Sequence, residues 1–184
     1  SMAKRKERGK DCTAAVDALE RIRVFGDPVL RQKTRAVTDF DARLSRLTRT
    51  MFEVMDREEG VGLAANQIGV VSRVMVWMDP DNDYEEHIYV NPRILEASES
   101  TTCEMEGCLS VPGESMEVPR ADEILVEAQD LEGNVFQAEL SGFQARVVQH
   151  EVDHLDGKLI LDRASPEERR RVLKDLRERA LAGC

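Results

Sequence analysis

His150-Glu151-Val152-Asp153-His154 constrains this chain more than any other stretch. Ser141 with Gln144 three residues on reads as a capping box that opens a helix. Phe143, Val147, His150 and His154 then follow at steps of four, three and four, so both histidines lie on the apolar face of that helix. Side chains four apart stack one above the other, and two imidazoles so placed reach a single metal ion. Glu151 stands one step, ~100°, around the axis from His150. It is poorly placed as a ligand of the same ion and well placed to move a proton beside it. A helix of this kind has to be buried, which demands a sheet or other helices around it.

The rest of the chain supplies them. Leu44, Leu47, Met51, Val54 and Met55 repeat at three- and four-residue steps and predict a helix over residues 39–59, with Thr38 and Asp41 as a capping box and Gly60 at its end. Residues 21–24 read as a short strand. Residues 72–78 and 87–91 read as strands joined by a polar loop, and Pro92 and Pro112 punctuate the stretch beyond them. Residues 124–129 and 135–140 flank Asp130-Leu-Glu-Gly-Asn134, a hairpin signal. Asp156-Gly157 ends the histidine helix. Ser165-Pro166-Glu167-Glu168 starts a last one, with a cap, a proline in the first turn and acids beside the N-terminus. The order α, several β, α, α predicts an α+β domain: a mostly antiparallel sheet packed around the central histidine helix, with a C-terminal helix. The expected division is a basic tail over 1–20, a catalytic domain over 21–164 and a helix over 165–184.

The 184 residues carry a net charge of −10. Residues 11–166 hold 15 basic and 31 acidic side chains, a net of −16, between two basic ends. That balance argues against a DNA-binding surface. No apolar run approaches the ~20 residues of a membrane span, no secretory signal is visible, and four cysteines without a C-x-x-C pair fit a reduced compartment. The expectation is a cytoplasmic protein with no membrane partner.

A catalytic metal site needs a third protein ligand and an open position. Ile160 stands where a metzincin has its third histidine, which excludes that family. His87 and the cysteines remain, His87 reading as a surface residue. A metallopeptidase or amidase for another acyl group, and a non-catalytic metal-binding or ribosome-associated module, are the competing readings; the latter has no use for Glu151.

Three motifs break the tie. Gly60-Val-Gly-Leu-Ala-Ala-Asn-Gln67, Glu106-Gly-Cys-Leu-Ser110 and Gln149-His-Glu-Val-Asp-His154 resemble, in order and separation, the signatures of the peptide deformylase family. The resemblance runs from about residue 21 to 163 and takes in Asp27-Pro28-Val29-Leu30, Asn91-Pro92 and Val118-Pro119-Arg120. It implies that Cys108, His150 and His154 hold one divalent metal, ferrous iron foremost, with zinc, nickel or cobalt as alternatives. It implies hydrolysis of the N-formyl group from the initiator methionine of nascent polypeptides, with water at the metal as nucleophile, Glu151 as base and acid, and the Gln67 amide and Leu109 N–H as oxyanion donors. Gly62 is then expected to let an extended N-formylmethionyl peptide approach, and Val61, Phe143 and Val147 to line the methionine pocket; Arg146, one turn before His150, reads equally as a residue of the pocket mouth or a solvated surface arginine. Glu106 and Asp153 are expected to support the ligands. The segment Gly113-Glu-Ser-Met-Glu117 differs from many relatives. Arg169, Arg170, Arg171, Lys174 and Arg179 give the last helix a basic face that fits ribosomal RNA, weighed against an ordinary solvated helix.

Overall fold

A computed structural model describes residues 21–183. The basic N-terminal stretch, Cys12 and Cys184 lie outside the described residues. Among the described residues four α-helices and seven strands succeed one another in the order α1 (Ala42–Arg57), β1 (Gly62–Ala64), β2 (Val74–Asp79), β3 (Glu85–Ala97), β4 (Thr101–Gly107), β5 (Ser115–Ala121), β6 (Glu123–Gln129), β7 (Val135–Ser141), α2 (Gly142–Leu155), α3 (Ile160–Arg163) and α4 (Pro166–Leu181). All named strand pairs are antiparallel. Five form a sheet of order β1-β2-β3-β6-β7, and β4 pairs with β5 alone.

Strand β2 shows why the sheet lies between two helices. All six of its residues are buried. Because side chains alternate across a strand, Met75 and Trp77 join the cluster around α2, with Val147, Val148, Val152 and Leu155. Val74, Val76 and Met78 join Leu44, Met51, Val54 and Met55 of α1 on the other face. A third cluster joins Met116 and Val118 of β5 to Ile160, Leu161 and Val172, with Cys108 packed at its edge. The α+β architecture and the buried central histidine helix are those expected.

Several local expectations are corrected. Residues 21–24 form no strand; they run extended, and the Arg23 and Phe25 N–H groups donate to the carbonyls of Gln67 and Ser110, both at 2.7 Å. The cap of α1 is Asp41 itself, accepting from Arg43 and Leu44 N–H, so Thr38 is not needed. Its C-terminus closes in a Schellman pattern with Glu59, at φ 56°, in the left-handed position. Gly60 N–H donates to Met55 O at 2.9 Å, one residue beyond where the sequence placed the glycine. Ser141 precedes α2 without a side-chain cap bond, and the Gln144 amide donates to Asp79 rather than reaching back to the cap. Strand β3 continues past Pro92 through a bulge: Asn91 takes φ 51°, and its side chain bonds both main-chain groups of Val37. The 130–134 hairpin and the Ser165 cap of α4 form as predicted.

Candidate functional site

Helix α2 presents His150 and His154 to the turn after β4, and the turn brings Cys108 to them. Cys108 Sγ lies 3.2 Å from His154 Nε2, and the two Nε2 atoms are 3.2 Å apart. All three donor atoms lie within 4.8 Å of one another. A tetrahedral ion with ligand bonds of 2.0–2.3 Å separates its ligands by about 3.3–3.6 Å, so the three atoms already outline one face of such a site. A thiolate with two imidazoles suits Fe, Zn, Co or Ni, and the donor set alone does not choose among them. His87 is elsewhere, on β3, half-buried and stacked on Trp77 at 4.2 Å.

The imidazoles are oriented by their surroundings. His150 Nδ1 stands 2.8 Å from Glu106 Oε1, and donating there leaves Nε2 with its lone pair free for a cation. Glu106 also accepts two bonds from Arg120, at 2.9 and 3.0 Å, and one from Arg146 at 2.6 Å. Arg120 continues to Asp153 at 2.6 Å, and Asp153 accepts two bonds from Arg163. Burial alone would raise the Glu106 carboxyl, but His150 and Arg120 overcome it and hold it down at about 2. Burial likewise opposes a charge on His150, yet the sulfur of Cys108 and the Glu106 carboxylate outweigh it and lift its pKa well above the usual value. His154, 1% exposed and carrying an unpartnered Nδ1, is pushed well below the ordinary histidine value by burial and by His150, which keeps it neutral.

Glu151 is 3% exposed, and its Oε2 has no hydrogen-bond partner. Burial pushes its carboxyl up to about 7, with Glu106 adding to the rise and His150 opposing it. That is the range in which a carboxyl both takes and returns a proton near neutrality. The Gln67 amide is fixed by elimination. Ala64 N–H can only donate, so Oε1 faces it at 2.9 Å and Nε2 turns inward, 3.1 Å from Ser110 Oγ and 3.9 Å from Cys108 Sγ. Ser110 N–H donates to Cys108 Sγ at 3.4 Å. Among the described residues the Leu109 N–H has no acceptor.

These groups open into a cleft of about 620 Å³ lined by residues 58–62, Gln67, 104–109, Pro112, Gly113, Phe143, Arg146, Val147, His150 and Glu151. The structure thus gathers Gly62, Val61, Phe143, Val147, Gln67 and Leu109 around the same hollow. Phe143 is 40% exposed, at the rim rather than on the buried face of α2 that the spacing suggested. Space at Gly62 is tight: a Cβ there would sit 3.1 Å from Glu151 Cγ and from Val147 Cγ1, so these side chains would have to give by a few tenths of an ångström. Gly62 belongs to β1, which among the described residues pairs with β2 alone, so no described strand lies along its outer edge. Arg146 is not free at a pocket mouth; it is buried against Glu106 and the carbonyls of Val118 and Thr102, with Glu104 at 3.4 Å. The roles of Ser110, Arg120 and Arg163 escaped the sequence reading, although Ser110 closes the cysteine motif and Arg120 the Val-Pro-Arg stretch.

Comparison with known proteins agrees across most of the chain. The polypeptide deformylase family model matches residues 19–170. A peptide deformylase of Thermotoga neapolitana is 46% identical over 156 residues, covering 85% of this chain and 93% of the relative. Peptide deformylase 1 of Corynebacterium glutamicum is 42% identical over 168 residues, covering 89% and 97%. Among solved structures, the peptide deformylase of Thermus thermophilus superposes with a TM-score of 0.81 at 44% identity, covering 88% and 95%, and that of Thermotoga maritima with 0.77 at 45%, covering 82% and 100%.

Proposed function

The chain belongs to the polypeptide deformylase family, and from that premise we infer that it removes the formyl group from the N-terminal methionine of nascent polypeptides, releasing formate, at the cleft between β1 and the turn after β4. The observation that carries the assignment of residues is the convergence of Cys108, His150 and His154 beside the buried Glu151 and the inward-facing Gln67 amide.

Cys108, His150 and His154 would hold the metal, and iron in the ferrous state is the reading we favour over zinc, nickel or cobalt. When bound, the ion supplies Lewis acidity, making water nucleophilic near neutral pH and polarising the formyl oxygen. The chain does the rest. Glu151, ionised, takes a proton from the attacking water at its carboxylate and delivers it to the departing amine. Gln67 Nε2 and Leu109 N–H donate to the oxygen on which negative charge develops, each contributing on the order of 3 kcal/mol. The outer edge of β1 at Gly62 offers main-chain groups to an extended peptide, while Val61, Val147 and Phe143 receive the methionine side chain. Arg120 and Glu106 keep His150 aimed without touching substrate.

Residues 21–164 act as the catalytic unit in this reading, with α4 packed on it, in a cytoplasmic protein. No described helix is long and apolar enough to cross a membrane. A ribosomal RNA contact through α4 would rest on Arg170 and Lys174. Arg169 donates to Leu161 O, and Arg171 and Arg179 are turned onto the body of the protein. The test is formate release from a formyl-methionyl peptide by anaerobically prepared protein loaded with ferrous iron or nickel. Rapid release by the parent, lost in Glu151→Ala with the metal retained, supports the reading; no release by a fully loaded parent overturns it.

A further inference from the structure

The turn of residues 108–114 carries much of the metal site and its cleft: Cys108, the Leu109 N–H and the Pro112–Gly113 wall. On the inner side it is held by Gln67 on the Ser110 hydroxyl and by Phe25 N–H on the Ser110 carbonyl. On the outer side it meets one side chain from the end of α4. Arg179 Nη1 donates to Pro112 O at 2.9 Å, Nη2 donates to Gly113 O at 3.2 Å, and Nη2 also bonds the Glu114 carboxylate. The Glu114 side chain is only 4% exposed and faces a second arginine of the helix, Arg171, at 3.7 Å. Arg171 in turn donates to Ser115 O at 2.9 Å.

A surface ion pair needs one contact between two flexible side chains and fixes little. Here one planar guanidinium is committed to two consecutive carbonyls and a buried carboxylate of a single turn, which fixes main-chain position. Gly113 is shaped to allow it. Its φ is +77°, and a Cβ built there would intrude on Arg179 Nη1. The distinctive Gly113–Glu117 segment therefore has a partner within the chain, namely the basic face of α4.

We propose that α4 braces the turn that completes the metal site, with Arg179 as the positioning residue that holds the Leu109 N–H and Cys108 Sγ in register with His150 and His154. This rests on reading that turn as the source of a metal ligand and an oxyanion donor. A pair that merely tied down the end of a helix would affect thermal stability and nothing at the cleft.

The test uses full-length protein loaded with cobalt(II), whose visible absorption reports the geometry at the thiolate ligand, beside kinetics on a formyl-methionyl peptide. Arg179→Ala is expected to lower kcat by about tenfold or more with KM within about twofold, since small misplacements of reacting groups are costly, and to shift the cobalt bands. Arg179→Lys, which keeps a charge near Glu114 but cannot span two carbonyls, should fall between. Arg177→Ala, at an exposed position of the same helix, should match the parent. A folded, cobalt-loaded Arg179→Ala with parental kcat and parental spectrum overturns the brace. Should Arg179→Ala fail to fold, Glu114→Gln decides by the same two readouts: displaced bands and lower kcat support the brace, and parental values overturn it. The spectrum decides this even if the parent releases no formate, an outcome that would count against the deformylase reading alone.

Discussion

Replacing Glu106 by glutamine tests the support of the metal site most directly. The carboxylate accepts from His150, Arg120 and Arg146 and is 7% exposed, so solvent screens it little. Its pKa is held at about 2 against an ordinary 4.5. Where both folded and unfolded chains are ionised, above about pH 4.5, the stabilisation is fully present. As pH falls below that, the unfolded chain takes up the proton first, and stability declines by about 1.4 kcal/mol per pH unit until the folded carboxyl titrates as well. From pH 4.5 to pH 3 this single group accounts for a loss of about 2 kcal/mol. Glu106→Gln cannot titrate, so its loss over that interval should be smaller by that amount. At pH 7 it should cost about 3 kcal/mol, because Arg120 and Arg146 stay buried without their counter-charge. Urea unfolding of chelator-treated protein at half-unit pH steps measures both, free of the proton release that metal binding adds. Parallel loss of stability in parent and variant between pH 4.5 and 3, or a cost under about 0.5 kcal/mol at pH 7, would refute the reasoning; surface substitutions do no more than that.

Four further outcomes are expected. Glu151→Gln should keep its metal, read by atomic absorption, and lose on the order of 10²–10⁴ in kcat; full activity would remove Glu151 from proton transfer. Because Glu151 must be ionised to accept a proton, and burial pushes its carboxyl up to about 7, kcat/KM should rise with pH across the acid side of neutrality. A profile flat from pH 5 to 8 would contradict that. Gln67→Ala should lower kcat on the order of 10²–10³ with little change in metal content, whereas a pure rise in KM would place the amide in substrate binding instead. Removing the metal with a chelator should lower the thermal midpoint, and restoring it should recover the midpoint, since only the folded chain brings Cys108 to His150 and His154.

The two histidines one turn apart, the acid between them, the β6–β7 hairpin and the Ser165 cap were legible because each is local: its parts lie within a few residues and obey the period of one element. The motif spacing likewise carried the family, and with it Cys108 and Gln67, which lie far along the chain from the helix they serve. Strands β4 and β5 gave no such signal. In β4 only Glu106 is buried, so the alternation that marks a half-buried strand is missing, and the strand exists because β5 pairs with it. Glu106 and Asp153 were legible as supports of the ligands, but not their pairings: His150, Arg120, Glu106, Arg146 and Asp153 meet across separations of 14 to 44 residues. The basic face of α4 reads from sequence either as a surface for RNA or as an ordinary solvated helix, and in the fold three of its arginines close on carbonyls and carboxylates of the protein itself. The sequence determined which chemical groups the chain owns and the period on which each element presents them. Which charges neutralise one another was decided only in the folded molecule, because a carboxylate or guanidinium reads the same in any local sequence and takes its partner from whatever burial brings within about 3 Å.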